Sequence, residues 1–196
     1  ADIGETVRPL VLRRMVENVL PDLPGVVEKT HWLQPTREFV VGYDAIRGDG
    51  LNTSSQKLRL AVISKLRQYC AYPPLVTNEL VEVTDQKIQV LEDILDKIQR
   101  QEEKVIIFTS WHSSADMLKS LLLRDYPDTF CAVIDGRDAS DARFPVIQNF
   151  KNIDGFAVLI CNTRAAGEGL NITAANHIVH FDRQWNPAKE SQANAR

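Results

Sequence analysis

A chain of 196 residues has room for one domain with an appendage, or for two small domains. Its 44% hydrophobic and 25% charged residues are ordinary for a soluble globular protein, and no apolar run approaches the roughly 20 residues that span a bilayer. The net charge of −3 lies in residues 1–103, with 104–196 balanced, so there is no basic tail; any contact with phosphate must come from a local patch or from backbone amides.

In chain order, Thr6 to Leu20 carries Val7, Leu10, Val11, Val16, Val19 and Leu20 at helical recurrence. Pro21 and Pro24 stop that helix, since proline lacks an N–H and disfavours helix in the residue before it. Val26 to Leu33 reads as an extended segment. Pro35-Thr36 opens a helix with Phe39, Val40, Tyr43 and Ile46 on one side. Gly48 to Ser55 reads as a turn-rich loop, and Leu58, Val62, Leu66 and Tyr69 then mark a helix that Pro73-Pro74 ends.

Beyond about Val81 the pattern alternates. Asp85 to Arg100 is amphipathic, with Ile88, Leu91, Ile94, Leu95 and Ile98 on one stripe. Short apolar runs at 104–108, 131–134, 157–160 and 177–181 are separated by helical patterns containing Ala115, Leu118, Leu121 and Leu122, and then Ser140 to Phe150. Such runs imply parallel strands buried on both faces. The expectation is a mainly helical region over 1–80, followed by a doubly wound α/β domain over 81–196.

Cys70, Cys131 and Cys161 are far apart and make no Cys-x-x-Cys spacing, so neither a disulfide framework nor a zinc site is expected. Cys131 and Cys161 sit at or beside apolar runs and read as small buried thiols. No leader is visible, which makes an intracellular location the default expectation: cytoplasmic in a prokaryote, nuclear in a eukaryote.

In parallel sheets of this type, ligands bind beyond the carboxyl ends of the strands. The loops there begin Thr109-Ser-Trp-His, Asp135-Gly-Arg137, Cys161-Asn-Thr-Arg and Asp182-Arg-Gln-Trp-Asn-Pro187. Hydroxyls, amides, glycines and arginines are the groups that hold phosphate, because they donate hydrogen bonds and let backbone N–H groups approach. Any one of these loops is weak evidence; a glycine in such a turn usually just supplies an unusual backbone angle.

Their succession resembles the C-terminal lobe of superfamily 2 helicases and translocases, and among them the Swi/Snf-type family. Ile106-Ile-Phe-Thr-Ser-Trp111 is similar to motif IV of that family, and Ile134-Asp-Gly-Arg137 to its following turn. Asn162-Thr-Arg-Ala-Ala-Gly-Glu-Gly-Leu-Asn171 resembles motif V, Trp185-Asn-Pro187 the Trp-Asn-Pro signature, and Gln192-Ala-Asn-Ala-Arg196 the opening of motif VI. Upstream, Leu12-Arg-Arg14, Leu20-Pro-Asp-Leu-Pro24 and Leu66-Arg-Gln-Tyr-Cys-Ala-Tyr-Pro73 are similar to the segment between lobes, with Tyr72 in place of the usual histidine. Ala166 stands where a second glycine is usual, and Ala195 precedes the motif VI arginine in place of aspartate or glycine.

The resemblance implies a RecA-like doubly wound parallel sheet preceded by a helical linking region. It implies a lobe truncated within motif VI, three residues short of that motif's second arginine, and a first lobe preceding it. Thr109, Ser110, Asn162, Thr163 and Arg164 would contact the double-stranded-DNA backbone, setting register without reading sequence. Gly167, Gly169, Asn171, Gln192 and Arg196 would face ATP, with Arg196 in the catalytic role. No Gly-x-x-x-x-Gly-Lys-Ser/Thr loop is present, so ATP and Mg2+ are expected cofactors of a full-length parent, neither held tightly by this chain, which alone should be inactive. Expected partners are duplex DNA and the first RecA-like lobe, with no membrane.

Two other function classes fit parts of the sequence. A protein-interaction module derived from such a lobe would carry the same residues, and an upstream phosphate-binding loop in the parent gene would distinguish the motor. A dinucleotide enzyme is suggested by Gly167-Glu-Gly169, but Ile172 stands where the Gly-x-Gly-x-x-Gly pattern needs glycine. His177 and His180, three apart on a strand, point to opposite faces and would not share a metal. Glu168 reads as a loop residue rather than a base, Arg164 and Arg183 can be solvated charges, and Trp185 reads as packing against the following helix.

Overall fold

The computed structural model describes residues 25–51, 55–77, 82–137, 139–162, 172–186 and 190. The chain divides into two compact units, Ala1–Trp32 and Leu33–Arg196. In the first unit, residues 25–32 carry neither helix nor strand, and the helix expected over Thr6–Leu20 lies outside the described residues.

The second unit opens with helix α1 (Arg37–Leu51). Thr36 caps it: its hydroxyl oxygen accepts the Phe39 N–H at 3.3 Å, and its carbonyl accepts the Val40 N–H at 3.1 Å. The helix runs on through Gly48 instead of stopping there. Glycine costs a helix only about 1 kcal/mol relative to alanine, so the turn-rich composition is a weak terminator. Helix α2 (Gln56–Ala71) ends where Tyr72, preceding Pro73, is forced out of helical geometry to φ −160° and ψ 103°. A single 3-10 turn, Pro73–Leu75, follows.

Helices α1 and α2 pack through Tyr69, which is 1% exposed, meets the Phe39 ring at 4.8 Å between centroids with the planes tilted by 38°, and donates its hydroxyl to the Phe39 carbonyl at 3.2 Å. Gly42 makes this approach possible, since a β-carbon there would lie 2.3 Å from the Tyr69 hydroxyl oxygen. Both helices belong to the same compact unit as the sheet.

Helix α3 (Glu82–Arg100) leads into strand β1 (Lys104–Thr109), followed by α4 (His112–Asp125), β2 (Phe130–Ile134), α5 (Ser140–Asn152), β3 (Ala157–Asn162) and β4 (His177–His180). The four strands form one sheet in the order β2-β3-β1-β4, and every pairing is parallel. All four expected strands and the intervening helices are thus present, each strand end within two residues of its expected position.

Alternation along the strands divides the core in two. Val105 and Ile107 of β1, Val158 and Ile160 of β3 and Val179 of β4 meet Leu91, Leu95 and Ile98 of α3 and Ala115, Leu118, Leu121 and Leu122 of α4 on one face. Ile106, Phe108, Leu159, Cys161 and Ile134 meet Ile147 and Phe150 of α5, together with Ile172, on the other. The connection from β1 to β2 passes over β3 with α4 on the first face, and the return from β2 to β3 carries α5 on the second. Opposite directions across the sheet require opposite faces if both crossovers share one hand. Burial on both faces explains why the strands read as unbroken apolar runs. Among the described residues, no helix is long and apolar enough to cross a membrane.

Candidate functional site

Strands β1 and β3 are neighbours. The chain after β1 enters α4 on the first face, while Ile172, Ala174 and Ala175, downstream of β3, pack on the second. The carboxyl ends of the strands are the usual ligand position in open α/β sheets. Thr109 and Asn162 close the two strands there as register partners.

A polar lock draws three strand ends together at this point. Phe181 N–H donates to the Phe108 carbonyl at 2.9 Å, extending the β1–β4 alignment by one residue and placing Asp182 beside the end of β1. The Asp182 carboxylate accepts the Thr109 hydroxyl at 2.5 Å and the Ser110 N–H at 3.0 Å. Asn162 donates its amide to the Ser110 carbonyl at 3.0 Å, and Gln184 donates to the Ser110 hydroxyl oxygen at 2.5 Å. Ser110 is therefore held through its N–H, its carbonyl and its side chain, from β4, β3 and the loop after β4. Thr109 is fully buried and Asn162 nearly so, while Ser110 is partly exposed.

The end of β2 is tied separately. Gly136 has φ +89°, a left-handed conformation that favours glycine, and it turns the chain so that Arg137 N–H donates back to the Asp135 carboxylate at 3.1 Å. The Arg137 guanidinium reaches that carboxylate at 2.5 Å and also grips Asp116 of α4 with two N–H groups, at 2.9 and 2.5 Å. His112 Nδ1 lies 3.2 Å from Asp135. Burial acts to raise the Asp135 pKa, but the hydrogen bonds from Arg137 and His112 outweigh it and hold the carboxyl below its ordinary value. The Arg137 hydrogen bonds likewise lower Asp116. Arg137, engaged by two carboxylates, is a structural clamp between β2 and α4.

Two cations join the helices to the end of β4. Lys87 of α3 donates to the carbonyls of Ala71 at 3.0 Å and Cys70 at 3.4 Å, at the carboxyl end of α2, and stands 4.1 Å from the Phe181 ring centroid. Burial pushes its ammonium down to about 8, against the pull of Asp182. Arg67 of α2 places its guanidinium 5.9 Å from the ring centroids of both Trp111 and Trp185. Trp185 is 71% exposed and its ring lies against the Arg67 guanidinium, while the segment it was expected to pack against lies outside the described residues apart from Glu190.

Of the expected site residues, Thr109, Ser110 and Asn162 converge. Thr163, Arg164, Gly167, Gly169, Asn171, Gln192 and Arg196, as well as Glu168, lie outside the described residues. His177 pairs with Glu103 while His180 stacks on Phe108 at 5.4 Å, on opposite faces of the sheet as the alternation requires. Burial pushes Cys161 up to about 12 and Cys131 to about 11, in keeping with inert thiols. Asp182 and Gln184 were expected only as members of the loop after the fourth apolar run, with no role of their own, and Arg67 was not expected as a site residue.

Residues 86–196 match the model of the helicase conserved C-terminal domain. YwqA of Bacillus subtilis (strain 168) is 30% identical over 207 aligned positions, which take in 99% of this chain and 22% of that protein. The C-terminal domain of a Sulfolobus solfataricus SWI2/SNF2 ATPase superposes with a TM-score of 0.64 at 26% identity, over 79% of this chain and 71% of that one. The SWI2/SNF2 ATPase core from the same organism, solved in complex with double-stranded DNA, has the same fold, with a TM-score of 0.70 at 23% identity over 97% of this chain and 42% of that one. The chain spans about a fifth of the length of the first curated relatives it matches.

Proposed function

The chain belongs to the helicase conserved C-terminal domain family, as a RecA-like lobe of the SWI2/SNF2-type superfamily 2 ATPases, and from that premise we propose that it is the second lobe of a double-stranded-DNA translocase, supplying a grip on the DNA backbone and one wall of an ATP cleft. In this reading residues 1–80 link the lobes and residues 81–196 form the second lobe. The parent hydrolyses ATP between the lobes, and their alternate closing and opening steps one lobe along the duplex.

The locked Ser110 supports the reading most directly. A residue already held through its N–H, its carbonyl and its hydroxyl oxygen loses little freedom when a phosphate arrives, and its hydroxyl hydrogen is still there to donate. Thr109 and Asn162 are buried, and their part is to hold the loop; Ser110 is the partly exposed member. Thr163 and Arg164 follow directly on Asn162 in the sequence, adding a hydroxyl and a positive charge next to it. Backbone contacts of this kind position a protein on DNA without reading its sequence.

Gly167, Gly169, Asn171, Gln192 and Arg196 are assigned to the nucleotide. Arg196 offsets charge on the phosphates, and the glycines let the backbone approach them. Bound ATP supplies the γ-phosphoryl group for transfer to water. In this reading the groups that would hold Mg2+ belong to the other lobe, since the sequence contains no Gly-x-x-x-x-Gly-Lys-Ser/Thr loop.

Duplex binding by the chain tests the proposal. Binding should be weak, indifferent to sequence and steeply salt-dependent, with affinity lost by an order of magnitude or more between about 50 and 200 mM salt. Arg164→Ala should weaken it for all sequences alike. Tight, salt-insensitive binding of one sequence, or an Arg164→Ala variant that binds like wild type, overturns the assigned grip.

A further inference from the structure

Arg67 belongs to a linking helix, yet it touches the loops after two strands. Trp111 follows β1 and Trp185 follows β4, and the Arg67 guanidinium carbon is 5.9 Å from each ring centroid. The same group donates to the Arg183 carbonyl at 3.1 Å. Both ring distances fall within the cation–π range of about 6 Å. A guanidinium can serve two rings while donating in its own plane, because it is flat and carries its N–H groups on the edge; a lysine ammonium, a hydrated point charge, cannot.

The loops it reaches are the ones that hold Ser110: the β1 exit contains Ser110 itself, and the β4 exit supplies Asp182 and Gln184. Lys87 adds a second tie between the same elements, joining the carboxyl end of α2 to Phe181. Helix α2 is thereby bonded to the β4 exit at two points, at Arg183–Trp185 and at Phe181.

We propose that Arg67 is a positioning residue, a latch that fastens helix α2 to the β1 and β4 exit loops so that displacement of the helix reaches Ser110 and Trp185 together. The consequence for a motor rests on the function proposed above: a linking helix that moves when the lobes close would carry the DNA-facing loop with it.

The test uses this chain with Trp32→Phe as background, which leaves Trp111 and Trp185 as the fluorophores. Arg67→Ala and Arg67→Lys are compared by acrylamide quenching and by hydrogen exchange at two amides, Ser110, bonded to Asp182, and Gln184, bonded to Glu190. Arg67→Ala is expected to raise exchange at both amides about tenfold and to make the tryptophans more quenchable, with exchange in β1 and β3 unchanged. Arg67→Lys should behave like Arg67→Ala, since the charge alone cannot cover both rings.

Unchanged exchange at both loops in Arg67→Ala overturns the latch. So does wild-type behaviour of Arg67→Lys, or a uniform rise across the core strands, which would make Arg67 a general stabiliser. Should Arg67→Ala fail to fold by circular dichroism, Arg67→Lys decides the comparison. None of these readouts needs ATP or DNA. Absence of duplex binding by the wild-type chain removes the proposed function and leaves the latch standing, whereas duplex binding with unmoved loop exchange removes the latch alone.

Discussion

The carboxylate of Asp182 receives the hydroxyl of Thr109 at 2.5 Å, joining the ends of two adjacent parallel strands across 73 residues of sequence. The same carboxylate takes the Ser110 N–H, so two donors converge on one acid. Asp182→Asn offers a weaker acceptor and turns an NH2 group toward one of those donors. It should cost about 1–3 kcal/mol in urea unfolding, and Thr109→Val, which leaves the Ser110 bond in place, about 1 kcal/mol. A loss from Asp182→Asn no larger than that from Thr109→Val would mean that Ser110 does not depend on Asp182.

Gly42 and Tyr69 make a second pair. A β-carbon at position 42 would lie 2.3 Å from the tyrosine oxygen and 2.9 Å from the ring carbon that bears it. Gly42→Ala should therefore destabilise by about 1–3 kcal/mol, although alanine is the better helix former. Tyr69→Phe removes the clashing oxygen and its bond to the Phe39 carbonyl. The double variant should lose less than the two single losses added together, and thermal unfolding of all four proteins measures that coupling. Strict additivity would show that the helices separate without cost.

Lys87 gives a pH dependence whose sign can be worked out. Its folded pKa, about 8, lies below the ordinary lysine value of 10.5. Below pH 8 both states carry the proton, and the cost of burying the charge applies in full. Between pH 8 and 10.5 the unfolded chain binds more protons than the folded one, so stability rises with pH. Wild type should gain on Lys87→Met across that window, by up to about 3 kcal/mol. A difference that stays flat from pH 7 to pH 10.5 would show that the ammonium is not desolvated.

Asp135 has the opposite sign. Its folded pKa is held below the ordinary 3.8, so its stabilising effect is present above that value and is lost as pH falls beneath it. Arg137→Ala leaves the carboxylate, which is 5% exposed, with only the His112 ring beside it at 3.2 Å and should cost about 2 kcal/mol at pH 7. The penalty should shrink as pH falls below the ordinary carboxylate range and Asp135 takes up its proton. Melting temperatures of wild type and variant across pH 7 to 2 test this; parallel curves would refute it.

Hydrolysis supplies the last expectation. The sequence contains no Gly-x-x-x-x-Gly-Lys-Ser/Thr loop, and transfer of the γ-phosphoryl group depends on such a cradle together with its metal. The purified chain should release no phosphate from ATP above background. Turnover that persists through further purification and survives Arg196→Ala would contradict the assignment of the catalytic parts to two lobes.

The periodicities in the sequence were enough to place α3, α4 and all four strands, because both signals are local. The stripe of Leu91, Leu95 and Ile98 is set by the 3.6-residue turn, and the unbroken runs at 104–108 and 157–160 by burial of both strand faces. The cap at Thr36 and the stop before Pro73 were legible for the same reason, since each depends on the chemistry of one or two adjacent residues. The motif succession likewise located Thr109, Ser110 and Asn162 at strand ends. What only the tertiary structure decided is which loop leans on which. Thr109 is fully buried with its hydroxyl on Asp182, and Arg67, unremarkable within helix α2, spans Trp111 and Trp185. Those contacts depend on a strand order of β2-β3-β1-β4, which brings β4 beside β1, and nothing in the local chemistry of either partner encodes that neighbour.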